Sequence, residues 1–294
     1  MNTTTSMRPA SSGLAGRGQH LRNQLGFWLT VLLLFIASVI ILAPIVWTFS
    51  TSLRQPADSF SVPPKWIPIP PDFSNYVAVF QTVPGGRYVL NSAIITVSTV
   101  VGQLITASLA GYAFARFEFP GKNILFWLIL ATLMIPGQAT IIPVFVLISK
   151  LGLNDTPMSL ILPAWPTAFG TFLLRQYFMQ LSKEYEEAAL VDGASQWRIF
   201  RSVYLPLVAP GLAILAILTF NGTWNEFFRP LIFLTSPEKF TLPLGLVSLA
   251  GYMGTGSISI VLAGVMLSLI PVLAIFLAGQ RYLIEGITMG GVKG

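Results

Sequence analysis

The chain contains no cysteine, which excludes disulfides and thiolate metal sites. Its single histidine, His20, lies in a polar N-terminal stretch and reads as a solvated tail residue rather than a ligand or a general base. Charge is scarce as well. Asp, Glu, Lys and Arg make up 10% of the 294 residues, against about 25% in a soluble domain. No G-x-x-x-x-G-K-[ST] phosphate loop, nucleophile elbow or metal-ligand cluster can be read. A nucleotide-hydrolysing or metal-dependent enzyme therefore has none of its usual marks here. The formal net charge is +6, but the basic residues form no patch and no RNA-binding motif, so nucleic acid is not an expected partner.

What is present is apolar. Hydrophobic residues account for 54% of the chain and the mean hydropathy is +0.73. Lipid is the natural solvent for such a composition. Six windows carry no charge: Arg22 to Arg54, Arg87 to Arg116, Lys122 to Lys150, Asp155 to Arg175, Arg201 to Glu226, and Lys239 to Arg281. A spanning helix needs about 20 mostly apolar residues, and each window reaches about that length. They predict an all-α, polytopic membrane bundle with helices near 26–49, 88–114, 124–148, 157–178, 207–233 and 259–281. The apolar run from Leu25 to Phe49 is too long for a signal-peptide core and no A-x-A site follows, so the first helix is expected to stay. Residues 1–24 read as a disordered cytoplasmic tail and 25–294 as the transmembrane domain.

Orientation follows from the basic residues. With the N-terminus inside, the inner side holds Arg8, Arg17, Arg22, Arg116, Lys122, Arg175, Lys183, Arg198, Arg201, Arg281 and Lys293. The outer side holds Arg54, Lys65, Arg87, Lys150 and Lys239, so both termini are expected in the cytoplasm. The external segment 54–87 carries Pro56, Pro63, Pro64, Pro68, Pro70 and Pro71, which forbid a continuous helix. It reads either as a stiff connector or as a docking surface for an external partner. Pro44, Pro136, Pro143, Pro163, Pro166 and Pro230 fall inside the membrane windows and read as kinks in a bundle that opens and closes.

The polar stretch 183–206 reads as two short helices broken at Gly193. Glu184, Glu186 and Glu187 crowd the start of the first, where the helix dipole favours acids. Ala188, Ala189, Gly193 and Ala194 are small enough to admit another backbone. Trp197, Phe200, Arg201 and Tyr204 are expected on one side of the second helix. Periodicity alone also allows an amphipathic helix on the membrane surface. The full pattern is more specific. Glu187-Ala188-Ala189, Asp192-Gly193-Ala194 and Leu205-Pro206 together resemble the EAA motif of ABC importer permeases, with Val203 where an Ile is usual. The stretches Phe169 to Phe178 and Trp224 to Ile232 resemble the carbohydrate branch of that family, and Gly290 to Gly294 the end of the smaller permease of maltose-type transporters.

The resemblance implies a non-catalytic permease of an importer that moves a sugar or oligosaccharide inward by alternating access. The implied partners are a second homologous permease, two ATPase subunits, an extracellular substrate-binding protein, the sugar and the lipid bilayer. ATP and Mg would sit on the ATPase subunits and no cofactor on this chain. The location implied is the inner membrane of a bacterium or archaeon. Residues Glu187, Ala188, Ala189, Asp192, Gly193, Ala194, Leu205 and Pro206 would form the coupling element that docks on the ATPase, and the tail 286–294 would touch the ATPase dimer. Gly251, Tyr252, Met253 and Gly254 lie in an external loop that in such transporters can reach the binding protein; from the residues alone a flexible turn serves equally.

Inside the membrane, Asn221, Trp224, Asn225 and Glu226 are candidates for the substrate path, since aromatic faces with amide and carboxylate groups suit hydroxyl-rich ligands. Glu226 and Arg229, three apart, could instead form a structural pair. Asn91, Ser92, Thr96 and Gln103 read as interhelical hydrogen-bonders. Two further readings stay open: the same machinery moving a polyol or glycerol phosphate, and a secondary carrier acting alone.

Overall fold

The computed structural model describes residues 13–58, 66–251 and 256–291, with the backbone alone for 13–23, 25 and 283–291. Among these residues it is helical throughout, with no strand. Helix α1 runs Gly13–Ser52. It starts inside the segment 1–24 expected as disordered, so residues 13–24 are corrected to helix; residues 1–12 lie outside the described chain. The short helix α2, Ser74–Thr82, opens beside Asp72, whose Oδ1 accepts from the Ser74 N–H at 2.9 Å. Helix α3 spans Gly85–Arg116. Gly121, at φ +78°, then turns the chain into α4, Lys122–Ala131, and α5 follows at Ile141–Lys150. The pair α6, Met158–Ala164, and α7, Ala168–Gln180, comes next. A polar loop carries α8, Glu184–Val191, and α9, Gln196–Ile199. The chain continues through α10, Leu205–Leu207, α11, Ala209–Trp224, α12, Phe228–Phe233, α13, Leu242–Val247, and α14, Ile258–Gly291.

Three of the six expected spans, 26–49, 88–114 and 259–281, lie within unbroken helices long and apolar enough to cross a membrane. The other three are not continuous. Window 124–148 breaks at Ile135–Pro136 and bends by 98° between its halves. Window 157–178 divides into α6 and α7 around Pro166. Window 207–233 breaks after Trp224, and α11 is itself bent by 74° from the segment before it. Proline explains where the interruptions fall. Its ring clashes with the carbonyl four residues earlier and it offers no N–H. Pro230 thus disfavours helix at Glu226, where the chain is not helical, while α6 continues past Leu162 and ends two residues before Pro166. Pro44 is instead carried inside α1, where the helix continues.

Helix α3 is the centre of the bundle, packing against α7, α11 and α6, while α14 packs against α11, α1 and α2. Close approach depends on two glycines of α3. A Cβ on Gly102 would fall 2.0 Å from the Trp165 ring, and one on Gly111 would fall 2.9 Å from the Arg175 backbone nitrogen. Polar side chains add fixed links, as membrane helices require. Asn91 donates to the Glu238 and Phe240 carbonyls, the Ser92 hydroxyl accepts from the Leu242 N–H, and Gln103 bridges the Ala164 carbonyl and the Thr219 hydroxyl. Thr96 departs from this pattern: its buried hydroxyl has no partner.

Buried side chains gather at two ends. One end joins Ala107 and Tyr112 of α3, Leu174 and Phe178 of α7, and Ile199, Phe200, Tyr204 and Val208 beyond α9. The other joins Val79, Tyr88, Trp224, Leu242 and Ala263, with Ile95, Ile148, Ile161 and Phe233 beside them. The proline-rich segment belongs to this second end. Its Trp66 packs edge-on against Trp47 at 4.6 Å, and Asn75 donates to the Ser52 and Arg54 carbonyls. Arg54 is buried over the Trp47 ring rather than solvated as a loop cation.

Candidate functional site

The loop of α8 and α9 is the most polar part of the chain's later half and sets its charges at a helix start. Its acids Glu184, Glu186 and Glu187 occupy the first turn of α8, at the positive end of the helix dipole. Gly193 turns the chain at φ +77°, and the Ser195 hydroxyl caps α9 by accepting from the Arg198 N–H. Gly193 therefore separates two short helices, as the sequence indicates. A Cβ there would meet no atom within 4 Å. Glu187, Ala188, Asp192, Gly193 and Pro206 are exposed, while Ala189, Ala194 and Leu205 rest on the core. The exposed side also presents Tyr185, Leu190, Val191 and Trp197, with Val191 88% exposed. Large apolar groups held outward on a polar loop mark an interaction face.

The second helix departs from expectation. Phe200 and Tyr204 are buried, whereas Trp197 and Arg201 are exposed, so the four residues do not share one side. The cause is a π-helical turn over Phe200–Tyr204, which widens the helix and shifts its phase. Beneath this turn lies a polar network that sequence spacing does not show. The Tyr204 hydroxyl donates to Glu186 Oε2 at 3.1 Å, and the Tyr112 hydroxyl to Gln196 Oε1 at 3.2 Å. The Arg116 guanidinium lies 4.5 Å from the Tyr204 ring centroid and donates to the Phe178 and Leu181 carbonyls at 2.7 and 2.6 Å. The sequence signal was the polar end of an otherwise apolar window: Tyr112 and Arg116 close the second.

Within the spans, two interruptions and one turn of α6 border one cavity of about 360 Å³. Gly137, Gln138 and Thr140 come from the α4–α5 break, Pro163 from α6, and Glu226, Phe228 and Arg229 from the α11–α12 break. Glu226 Oε2 accepts from Arg229 Nη2 at 2.8 Å and from its Nε at 3.0 Å, and Glu226 Oε1 from the Arg229 N–H at 3.3 Å. The two form an ion pair that also caps the start of α12. Asn225 is exposed and donates to the carbonyl and side-chain oxygens of Asn221. Trp224 faces the other way. It is 3% exposed, stacks on Phe220 at 5.6 Å, and donates Nε1–H to the Ser268 carbonyl at 3.0 Å. In this conformation it joins α11 to α14 and offers no face to a ligand. The sequence placed Trp224 with Asn225 because the two are adjacent; α11 ends between them and sends them to opposite sides.

At the far end, Asp155, at φ 55°, ties two loops together. Its carboxylate accepts from the Thr235 and Ser236 N–H groups, the Ser236 hydroxyl and Lys239 Nζ at 2.8 Å. Hydrogen bonds from Lys239 and Ser236 hold this carboxyl well below the usual carboxylate range. Of the external loop candidates, Gly251 adopts φ +68°, while Tyr252, Met253 and Gly254 lie outside the described residues. The C-terminal segment continues α14 through Gly291, and residues 292–294 lie outside the described residues.

A helical bundle with broken spans around a polar cavity, joined to one exposed loop, defines a membrane transport subunit. The chain belongs to the family of binding-protein-dependent transport system inner membrane components, whose model matches residues 103–287. It is 42% identical to the arabinooligosaccharides transport system permease protein AraQ of Halalkalibacterium halodurans, over 69% of this chain and 73% of that one. It is 33% identical to the sn-glycerol-3-phosphate transport system permease protein UgpE of Yersinia enterocolitica, over 87% and 93%. Its fold matches a chain of a bacterial ABC transporter that imports the acidic polysaccharide alginate, at a TM-score of 0.79 and 26% identity, covering 94% of this chain and 99% of that one. The chain is thus a permease subunit of a binding-protein-dependent ABC importer. That membership sets aside the secondary carrier acting alone.

Proposed function

We propose that this subunit carries an uncharged sugar or oligosaccharide into the cytoplasm, together with a second, homologous permease. Two partner ATPase subunits bind Mg and ATP and drive alternating access, and an extracellular binding protein delivers the sugar. The α8–α9 loop supports this reading most directly. It turns Glu187, Ala188, Asp192, Gly193 and an apolar face outward, while Ala189, Ala194 and Leu205 seat it on the core. The outward face docks on an ATPase subunit. The loop, both termini and Arg116 then lie in the cytoplasm, and Asp155, Lys239 and α2 lie outside, in the cytoplasmic membrane of a bacterium or archaeon.

Glu226 borders the sugar path, with Gln138 and Thr140 lining the same cavity, and the exposed Asn221 and Asn225 continue the path beside it. The loop 251–254 meets the binding protein. Arg229, the cation lining the cavity, is already engaged by Glu226. That favours a neutral sugar over glycerol phosphate, the cargo named for the UgpE relative. Reconstituted complexes in proteoliposomes test both points. Uptake of neutral oligosaccharides that depends on ATP and binding protein is expected. Uptake of glycerol phosphate without sugar overturns the cargo assignment. Absence of cross-links between a cysteine at Val191 and the ATPase subunit overturns the docking assignment.

A further inference from the structure

An exposed loop can drive the membrane core only if something stiff joins the two. Its small contacts, Ala189 and Ala194, carry few atoms and little directional force. The directional link is elsewhere. Of the three acids in α8, Glu184 and Glu187 are exposed, whereas Glu186 turns inward to accept from the Tyr204 hydroxyl at 3.1 Å. Tyr204 is fully buried, and the Arg116 guanidinium lies against its ring at 4.5 Å. Arg116 in turn holds the end of α7 through the Phe178 and Leu181 carbonyls. One tyrosine therefore sits between α8, the end of α3, the end of α7 and the start of the α10–α11 segment. The far ends of these elements reach the cavity: α11 ends beside Glu226, and α6, which leads into α7, supplies Pro163.

We propose that Glu186, Tyr204 and Arg116 form the mechanical link that carries movement of the α8–α9 loop into the membrane core. They are positioning residues, and the assignment rests on the reading of the loop as the ATPase-docking element. A hydrogen bond to a carboxylate and a guanidinium on an aromatic face resist displacement more than the alanine contacts do. A push on α8 is then passed to α3, α7 and α11 together, rather than lost as sliding of the loop on the core.

The test uses the whole complex, with both permeases, ATPase subunits and binding protein, in lipid nanodiscs. Tyr204→Phe keeps the ring and its contact with Arg116 but removes the hydrogen bond. Glu186→Ala removes the acceptor, Glu186→Gln keeps an accepting oxygen, and Glu184→Gln is an exposed control. The readout is the ratio of ATP hydrolysis with sugar-loaded binding protein to hydrolysis without it. Tyr204→Phe and Glu186→Ala are expected to lower this ratio about tenfold, the size expected for one charge-assisted hydrogen bond that acts in only one of two states. Glu186→Gln should restore part of it, and Glu184→Gln should leave it alone. ATPase content should stay at the wild-type value in Tyr204→Phe, and the thermal midpoint should stay well above the assay temperature. Full stimulation in Tyr204→Phe overturns the link. So does a loss of stimulation that merely follows a loss of ATPase subunits or of thermal stability. Cross-linking through Val191→Cys keeps the two readings apart. If it cross-links to the ATPase and Tyr204→Phe stimulates fully, only the link fails; without the cross-link, the docking reading fails first.

Discussion

Single residues divide here into those that hold backbone, those that fill space and those that face outward. Gly193 holds backbone. Its φ of +77° costs an L-residue about 1–2 kcal/mol, while its Cβ direction is empty. Gly193→Ala should therefore show that backbone cost alone. Gly193→Leu should add a side chain on the docking face, releasing ATPase subunits and abolishing stimulated hydrolysis, as measured by bound ATPase per complex and by hydrolysis assays. Trp224 fills space. Trp224→Ala should destabilise the bundle by about 3–5 kcal/mol, the range for buried aromatics, visible as a lower thermal midpoint. Asn225 is exposed and makes two local bonds to Asn221. Asn225→Ala should cost less than about 1.5 kcal/mol and slow uptake at limiting sugar instead; normal uptake would remove it from the path. Asp155 anchors two loops, and its depressed pKa fixes the sign of a pH effect. Its contribution is complete above the ordinary carboxylate value of 3.8 and is lost only as pH falls below that value toward the lower folded one. The gap in melting temperature between wild type and Asp155→Ala should be constant from about pH 5 to 8 and close in stronger acid.

Among elements, the breaks matter more than the helices. Breaks beside Pro136, Pro166 and Pro230 interrupt three of the six apolar windows, and residues at two of these breaks line the same cavity with Pro163 of α6. Backbone groups freed by such breaks need protein or water nearby, so the breaks collect where the bundle keeps a polar space. At the other extreme, α14 runs unbroken through Pro271 to Gly291, so the glycines near its end do not release a loose tail before that point. Deleting residues 286–294 should alter the hydrolysis rate of the complex while the protein stays in the membrane. An unchanged rate with unchanged transport would exclude a role for this end.

For the whole molecule, the two buried ends give the chain a side. Arg116, Arg175, Glu186 and Gln196 meet at one, and Asp155, Lys239, Asn91 and α2 at the other. These are the same groups that the distribution of Lys and Arg assigns to opposite sides of the membrane. A reporter fused after Gln196 should read as cytoplasmic and one after Lys65 as external. An external reading at Gln196 would remove both the topology and the docking of the loop.

The sequence by itself determined the solvent, the class and the loop. Charge-free windows can satisfy their backbone in lipid only as helices. The fixed spacing from Glu187 to Pro206 marked out the polar loop, with its break at Gly193. Composition was enough for the solvent, and the resemblance of one motif pointed to the class and the loop, because each depends on local chain properties. Tertiary structure alone decided which polar residues meet. Trp224 and Asn225 are neighbours in sequence and part in space because a helix ends between them. Glu186 and Glu187 are adjacent acids, yet one turns to Tyr204 and the other to the exposed side, because side chains on a helix rotate about 100° per residue. Asp155 and Lys239 form a pair across two loops, and Arg116 and Tyr204 meet across two helices. Contacts so far apart along the chain leave no period or spacing in the sequence, and only the packing of α3 against its neighbours brings them together.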